Sequence, residues 1–213
     1  MKYRPLGIWL IPLLFSMGVS AKCKNPFDPK GEHSPAIQDL ARWEAALKLT
    51  SFLGVQLAKS TVAEVDSALG IKGNWATVKP RGDHEGYRAC FTGKDGAPTL
   101  RFSKSGLDET IVLLEVFSKG SKTPKNCVVS PKFDSKTVLA DELKLGMTSD
   151  SVKKLLGAPS CEDDMRVLYK FENAAPSATK SPLKEYGTVI LDFRLTKGAV
   201  HEMTLWKWIE VSE

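Results

Sequence analysis

The stretch Leu143–Gly157 reads LKLGMTSDSVKKLLG and predicts a short apolar-alternating segment followed by a helix. Thr148 suits the N-cap, because its hydroxyl can accept a hydrogen bond from an unpaired N–H group of the first turn. Asp150 lies in that turn, where the helix dipole favours negative charge. Gly157 comes two residues before a proline and ends the helix. One helical face carries the apolar residues Val152, Leu155 and Leu156.

The same pattern occurs earlier in the chain. Thr61-xxx-Val65-xxxx-Gly70 repeats the spacing of Thr148-xxx-Val152-xxxx-Gly157. Each copy is followed by three short segments whose apolar residues alternate as in β-strands. The equivalent strand residues are Phe91 and Phe171, Leu100 and Leu191, Phe102 and Phe193, Ile111 and Met203, and Leu113 and Leu205. This repetition indicates an internal duplication.

We therefore predict an α+β fold of two tandem repeats. Each repeat would be a helical layer on a three- to four-stranded antiparallel meander, and the meanders would form one larger curved sheet with an open concave face. A further amphipathic helix is expected over residues 35 to about 50, with Trp43 on its buried side. The predicted divisions are a signal peptide (1–21), a lead-in with that helix (22–53), repeat one (54–117), a linker with a short helix (118–142) and repeat two (143–213).

The N-terminus has the pattern of a secretory signal peptide. Lys2 and Arg4 precede an apolar run at residues 6–15, which is too short to span a bilayer. Small residues at 19–21 predict cleavage after Ala21. Lys22 stands where a lipoprotein signal needs a small residue before the cysteine, so lipidation of Cys23 is not expected.

The charge balance does not indicate nucleic-acid binding. The formal charge of +5 includes Lys2 and Arg4, and their removal with the signal peptide leaves +3. Because no second long apolar run follows, we expect a soluble mature protein without a membrane span. We also expect it to be a monomer.

Four cysteines follow the signal peptide: Cys23, Cys90, Cys127 and Cys161. An exported chain meets an oxidising compartment, so two disulfides are expected. Three pairings are possible, and loop-closure entropy only slightly favours Cys127–Cys161 together with Cys23–Cys90. No C-x-x-C pair supports a thiolate metal or redox site.

Strand alternation divides the predicted sheet into two faces. In the first repeat a tight turn near residue 106 would pair Phe102 with Ile111 and Leu100 with Leu113 on the core face. The opposite face would carry Arg101, Val112, Leu114, Asp192, Arg194, Thr204, Trp206 and Trp208. Tryptophans with arginines and an aspartate are typical of protein-binding surfaces. A slip of one residue would instead place both tryptophans in the core.

The sequence contains no recognisable catalytic motif. His33, His84 and His201 lie far apart, without metal-binding spacing, and no GxSxG, P-loop or dinucleotide glycine string is present. The acidic loop Cys161–Asp164 lacks the ligand pattern of a calcium loop. We therefore predict no catalytic residue, metal or cofactor. A small hydrolase that uses His84 or His201 stays an alternative.

The string Gly146-Met147-Thr148-xxx-Val152-xxxx-Gly157, its three following strands and its tandem arrangement resemble a known superfamily. That superfamily contains the secreted proteinaceous β-lactamase inhibitors and the small lipoproteins of outer-membrane β-barrel assembly. The similarity covers residues of about 54–117 and 143–211. The first copy departs from the string, since it has Lys59 and Ser60 in place of Gly and Met.

Three positions resemble the inhibitor branch. Cys161 follows the helix, where the inhibitors place a cysteine, and Cys90 resembles their second cysteine position. Each copy of this chain has only one of these two cysteines, so the disulfide pairing of the inhibitors cannot be assigned to this chain. Trp206 resembles a tryptophan of their last strand, which faces the target enzyme on the concave side of the sheet. The resemblance therefore implies a protein inhibitor that uses this face.

We expect a periplasmic or secreted protein that binds another protein. It would be an inhibitor, or an immunity protein against an envelope-acting toxin or hydrolase. The expected contact residues are Trp206, Trp208, Thr204, Asp192, Arg194, Arg101 and Leu114. The lipoprotein branch implies the alternative of an envelope-assembly scaffold, although the missing lipidation signal and the duplication weigh against it.

Overall fold

A computed structural model describes residues 23–27, 34–78, 86–95, 98–106, 109–119, 121, 126–134, 143–173 and 185–211. The predicted signal peptide, His33, His84 and most of the predicted linker and short helix lie outside the described residues.

The described residues form three helices and eleven strands. The helices are α1 (Leu40–Lys48), α2 (Val62–Leu69) and α3 (Ser149–Leu156). The strands are β1 (Ser51–Phe52), β2 (Val55–Gln56), β3 (Ala76–Val78), β4 (Gly86–Thr92), β5 (Thr99–Lys104), β6 (Ile111–Phe117), β7 (Val128–Val129), β8 (Cys161–Asp163), β9 (Arg166–Asn173), β10 (Glu185–Thr196) and β11 (Ala199–Val211).

One nine-stranded sheet dominates the structure. Its strand order is β3-β4-β5-β6-β11-β10-β9-β8, and β7 adds to β4 in parallel. All other pairs in this sheet are antiparallel. The meanders β4-β5-β6 and β9-β10-β11 join edge to edge, because β6 pairs with β11. Strands β1 and β2 form a separate small hairpin.

The predicted α+β fold with a helical layer on each repeat is wrong. The protein is mostly β, and α2 and α3 have only eight residues each. The capping residues explain why these helices are short, because only eight residues separate the N-cap threonine from the C-terminal glycine in both copies. Two helical turns cannot cover a meander, so the sheet itself supplies most of the buried side chains.

The helix ends follow local sequence signals. Thr61 and Glu64 form a complete capping box, and Gly70 ends α2 in the left-handed conformation with φ of 65°. The Thr148 hydroxyl accepts from the backbone N–H of Ser151. Helix α1 is shorter than expected and starts after Asp39. The preceding residues are extended, because Ile37 pairs with Phe171 at the sheet edge.

Both short helices are attached to the sheet in the same way. Thr61 forms an isolated bridge with Thr110, and Thr148 forms one with Ala199. These partners lie at the start of β6 and β11, the last strands of the two meanders. The threonine at the start of each of these two helices is thus tied to the last strand of the meander that follows it. The exact repeat boundaries stay a prediction.

The predicted register between β5 and β6 is wrong. Phe102 lies opposite Leu114 and Leu100 lies opposite Val116, with a register shift between Ser103 and Lys104. The cause is a bulge and a longer connection than the expected two-residue turn. Leu114 is therefore a core residue with 2% exposure, and its expected place on the open face is wrong.

Candidate functional site

The two tryptophans of β11 lie on the sheet face opposite the core. Met203 and Leu205 are buried on the core face, whereas Trp206 is partly exposed and Trp208 is 44% exposed. Strand alternation therefore places Thr204, Trp206 and Trp208 on one face, as expected. We call this surface the open face.

One row of directly opposed residues crosses the open face from β8 to β4. It runs over seven strands through Cys161, Leu168, Asp192, Thr204, Glu115, Arg101 and Cys90. Thr204 occupies the centre, a charged residue lies on either side of it, and a cysteine closes each end. We call this set the central row. It brings together three of the candidate residues from both halves of the chain.

A groove of about 630 Å³ lies on the open face. Five of the seven candidate contact residues line it: Arg101, Asp192, Arg194, Thr204 and Trp206. Trp208 lies on the same face outside the groove lining, and Leu114 belongs to the core. Sequence reasoning missed other lining residues, including Asn25, Phe27, Arg88 and Glu115.

The most buried ion pair of the open face joins Arg166 and Asp192. Arg166 donates from Nε to Asp192 Oδ1 at 2.7 Å and from Nη2 to Oδ2 at 2.5 Å. The side chains are 12% and 2% exposed, respectively. Such bidentate geometry fixes the arginine plane. Asp192 is thus a structural partner of Arg166 as well as a groove residue.

The other arginines of the open face differ in how firmly they are held. Arg101 makes a bidentate pair with Glu115, and its guanidinium lies 5.2 Å from the Phe117 ring centroid. Arg194 is 53% exposed, and its Nε lies 3.9 Å from Glu202. This pair is long and solvated, so Arg194 can turn towards an incoming acidic group at little cost.

The N-terminal residues 23–27, which we call the strap, also belong to the site. Cys23 is bonded to Cys161, and the Phe27 ring meets Trp206 edge-on with centroids 6.4 Å apart. Asn25 and Phe27 line the groove. Cys23 lies just after the predicted cleavage site, and a cysteine at this position indicates that a disulfide attaches the segment to the rest of the fold.

The observed disulfides are Cys23–Cys161 and Cys90–Cys127. All four cysteines are paired, as predicted, but the slight preference for the pairs Cys127–Cys161 and Cys23–Cys90 was wrong. Loop-closure entropy varies too weakly with length to select a pairing. The fold decides it, because β8 and β4 lie at opposite sides of the sheet and each holds one cysteine. The bonds fit an exported protein.

A cluster of Ser149, Lys153 and Glu162 has residue types found in catalytic sites. The Ser149 hydroxyl donates to Glu162 Oε1 at 2.6 Å, and Lys153 Nζ lies 2.9 Å from the same oxygen. These two donors, the serine first, hold the pKa of Glu162 below its usual value. The contacts with Glu162 and then Asp150 raise the pKa of Lys153. A carboxylate of lowered pKa is a poor base for activating serine, so the cluster is a surface ion pair.

His201 does not join a catalytic arrangement with these groups. Its Nδ1 lies 3.0 Å from Thr196 Oγ1 across the β10–β11 turn. In the part of the chain that the structure describes, no three histidine, cysteine or acidic side chains lie close enough to hold a metal ion. No described helix is both long and apolar enough to cross a bilayer.

Comparisons with protein-family models, curated proteins and solved structures gave no match.

Proposed function

We propose that this chain is an exported, non-enzymatic protein-binding module that inhibits or neutralises another protein of the cell envelope. The open face would occlude the partner's functional cleft. The proposal is carried by the groove on this face, which combines a partly exposed tryptophan with arginines and a threonine on a wide β-sheet.

The composition of the groove supports a protein partner. Trp206 and Arg194 are residue types that contribute most of the binding energy in protein interfaces. The groove is open to solvent and has charged groups along its length, which suits a protruding loop better than a small apolar ligand. Cross-strand hydrogen bonds hold its floor, so little order is lost when a partner binds.

The charges around the groove indicate what such a loop would carry. Arg88, Arg101, Lys104 and Arg194 line it together with Glu115, Asp192 and Glu202. Arg101 and Asp192 are each occupied by a bidentate partner within the sheet. Arg194 is more exposed than Arg101, the other groove-lining arginine with a described ion pair, so we infer an acidic side chain opposite Arg194.

The proposed setting is the periplasm, after cleavage near Ala21, with the protein acting as a monomer. The two disulfides support an oxidising compartment. The proposed resemblance to the β-lactamase inhibitor branch supports a function as a protein inhibitor. The scaffold alternative would need a lipid on Cys23, and the sulfur of Cys23 is bonded to Cys161 instead.

Affinity capture from periplasmic extract tests the proposed function. The oxidised mature protein and its Trp206→Ala and Val129→Ala variants would be immobilised and the retained proteins identified by mass spectrometry. Val129 is an exposed apolar residue on β7 that does not line the groove, so its variant is the matched control. We expect one envelope protein to be held by the parent and control but lost with Trp206→Ala.

The captured protein must also lose its activity when the parent is added. We expect the parent and Val129→Ala to inhibit the captured protein and Trp206→Ala not to inhibit it. This result would support inhibition through the open face. Equal capture by all three proteins, or capture without any effect on activity, would contradict the proposed function.

A further inference from the structure

The strap is held on the open face by several independent contacts. The Cys23–Cys161 disulfide fixes its first residue to β8. The backbone N–H of Cys23 donates to Asp163 Oδ2 at 2.8 Å. Arg166 Nη1 donates to the carbonyls of Cys23 at 3.4 Å and Lys24 at 3.0 Å. The strap is therefore attached to the same arginine that binds Asp192 in the groove.

The far end of the strap is shaped by a local turn. The backbone N–H of Phe27 donates to Asn25 Oδ1 at 3.1 Å, and Pro26 between them is buried. Proline restricts the backbone, so this turn is partly formed before it docks. The turn directs the Phe27 ring edge-on against Trp206 at 6.4 Å. The strap thereby forms one wall of the groove, through Asn25 and Phe27.

The described hydrogen bonds between the strap and the sheet are weak on their own. The three hydrogen bonds at Cys23 and Lys24 are partly or fully exposed, so water competes with each of them. Holding the five strap residues in place also requires the loss of their backbone freedom. The covalent bond holds Cys23 beside β8 and thereby lowers that entropic penalty.

We propose that formation of the Cys23–Cys161 disulfide completes the groove, so that the oxidised protein binds its partner more tightly than the reduced protein does. The two thiols lose two protons and two electrons to a disulfide-bearing oxidant, which is reduced to two thiols as the S–S bond forms. The chain would thus bind more weakly in the reducing cytoplasm, where it is made, than in an oxidising compartment. This consequence for binding rests on the proposed function, whereas the assembly of the groove wall does not.

The free protein provides the first test. The Trp206 indole N–H resonance would be followed by two-dimensional NMR and assigned by its loss in Trp206→Phe. In the Cys90→Ser/Cys127→Ser variant, a glutathione redox titration reduces only Cys23–Cys161. We expect the Trp206 resonance to move on reduction to the position that it has in Phe27→Ala, because both changes remove the Phe27 ring.

The Cys23→Ser/Cys161→Ser variant serves as the matched control. The same titration then reduces only Cys90–Cys127, at the opposite end of the central row, and should leave the Trp206 resonance unchanged. A Trp206 resonance that does not respond to reduction of Cys23–Cys161 would overturn the proposal, whether or not a partner is found. Phe27→Ala keeps both disulfides, so its spectrum is available even if a cysteine variant unfolds.

The second test measures binding to the partner captured as described above. Phe27→Ala and Cys23→Ser/Cys161→Ser should each bind about tenfold more weakly than the parent, because both lose one groove wall. Cys90→Ser/Cys127→Ser should bind as the parent does. Unchanged binding after loss of the strap would show that the strap does not contribute to the groove, and tighter binding would show that it covers the groove. Either result would overturn the proposal.

Discussion

Phe27 lies edge-on against Trp206, with ring centroids 6.4 Å apart and ring planes at 73°. The two residues are separated by most of the chain, yet together they line the groove of the open face. Edge-to-face packing of this kind contributes about 0.5–1.5 kcal/mol beyond the area that it buries. It also holds the indole in one orientation, which lowers the entropy cost of presenting it to a partner.

Replacement of Trp206 by alanine should weaken partner binding by about 2 kcal/mol or more, or roughly 30-fold. The side chain is partly exposed and lies outside the core, so the fold should remain. Calorimetric titration measures the affinity, and thermal unfolding checks the fold. Val129→Ala provides the control. Unfolding of Trp206→Ala in buffer would contradict the placement of Trp206 on the open face.

Replacement of Arg166 by methionine should destabilise the fold by about 3–5 kcal/mol, because it leaves the buried Asp192 carboxylate without its partner. Urea denaturation measures this change. The double variant Arg166→Met/Asp192→Leu should recover much of the loss, since it removes both buried charges. Equal destabilisation by the single and double variants would show that packing, and not the ion pair, determines the effect.

The starts of α2 and α3 could be predicted from sequence because their signals are local, whereas α1 starts five residues later than expected. Capping at Thr61 requires only Glu64, three residues away, and the structure contains both hydrogen bonds of the capping box. The general distribution of β11 side chains between two faces was also predictable, because strand alternation has a fixed period. These features depend on neighbours along the chain, so Trp206 could be placed on the open face in advance.

The features that could not be predicted depend on distant parts of the chain. The bulge between Ser103 and Lys104 shifts the register, and this shift moves Leu114 into the core. The partner of Cys23 is 138 residues away and is selected by the sheet topology. The contact between Phe27 and Trp206 depends on that bond. The contribution of the strap to the groove therefore could not be predicted from local sequence patterns.

Replacement of Gly187 by alanine should destabilise the β10–β11 hairpin by roughly 3 kcal/mol. A Cβ atom at Gly187 would lie 2.1 Å from the Trp208 carbonyl oxygen, and its φ of 154° disfavours other residues. Gly198→Ala is the matched control, since Gly198 also has a positive φ, of 76°, but faces open space. It should cost only about 1–2 kcal/mol. Equal effects in urea denaturation would contradict the close approach at Trp208.

Removal of the Tyr169 hydroxyl should change how stability depends on alkaline pH. Burial raises the pKa of Tyr169 to about 12, although the nearby Arg42 opposes this shift. An unfolded tyrosine titrates near 10, so between about pH 10 and 12 the unfolded state loses its proton first. Stability therefore falls with rising pH across this window, by at most about 2 kcal/mol from this group.

The Tyr169→Phe variant should lack this part of the alkaline loss. At pH 8 it should be about 1 kcal/mol less stable than the parent, because the hydroxyl donates to the Gly157 carbonyl at 2.9 Å. As the pH approaches 11, the difference should shrink and then reverse. Urea denaturation of both proteins at pH 8, 9, 10 and 11 measures it, and contributions of other tyrosines and lysines cancel in the comparison. A difference that stays constant across this range would show that the Tyr169 hydroxyl is not protected from titration by burial.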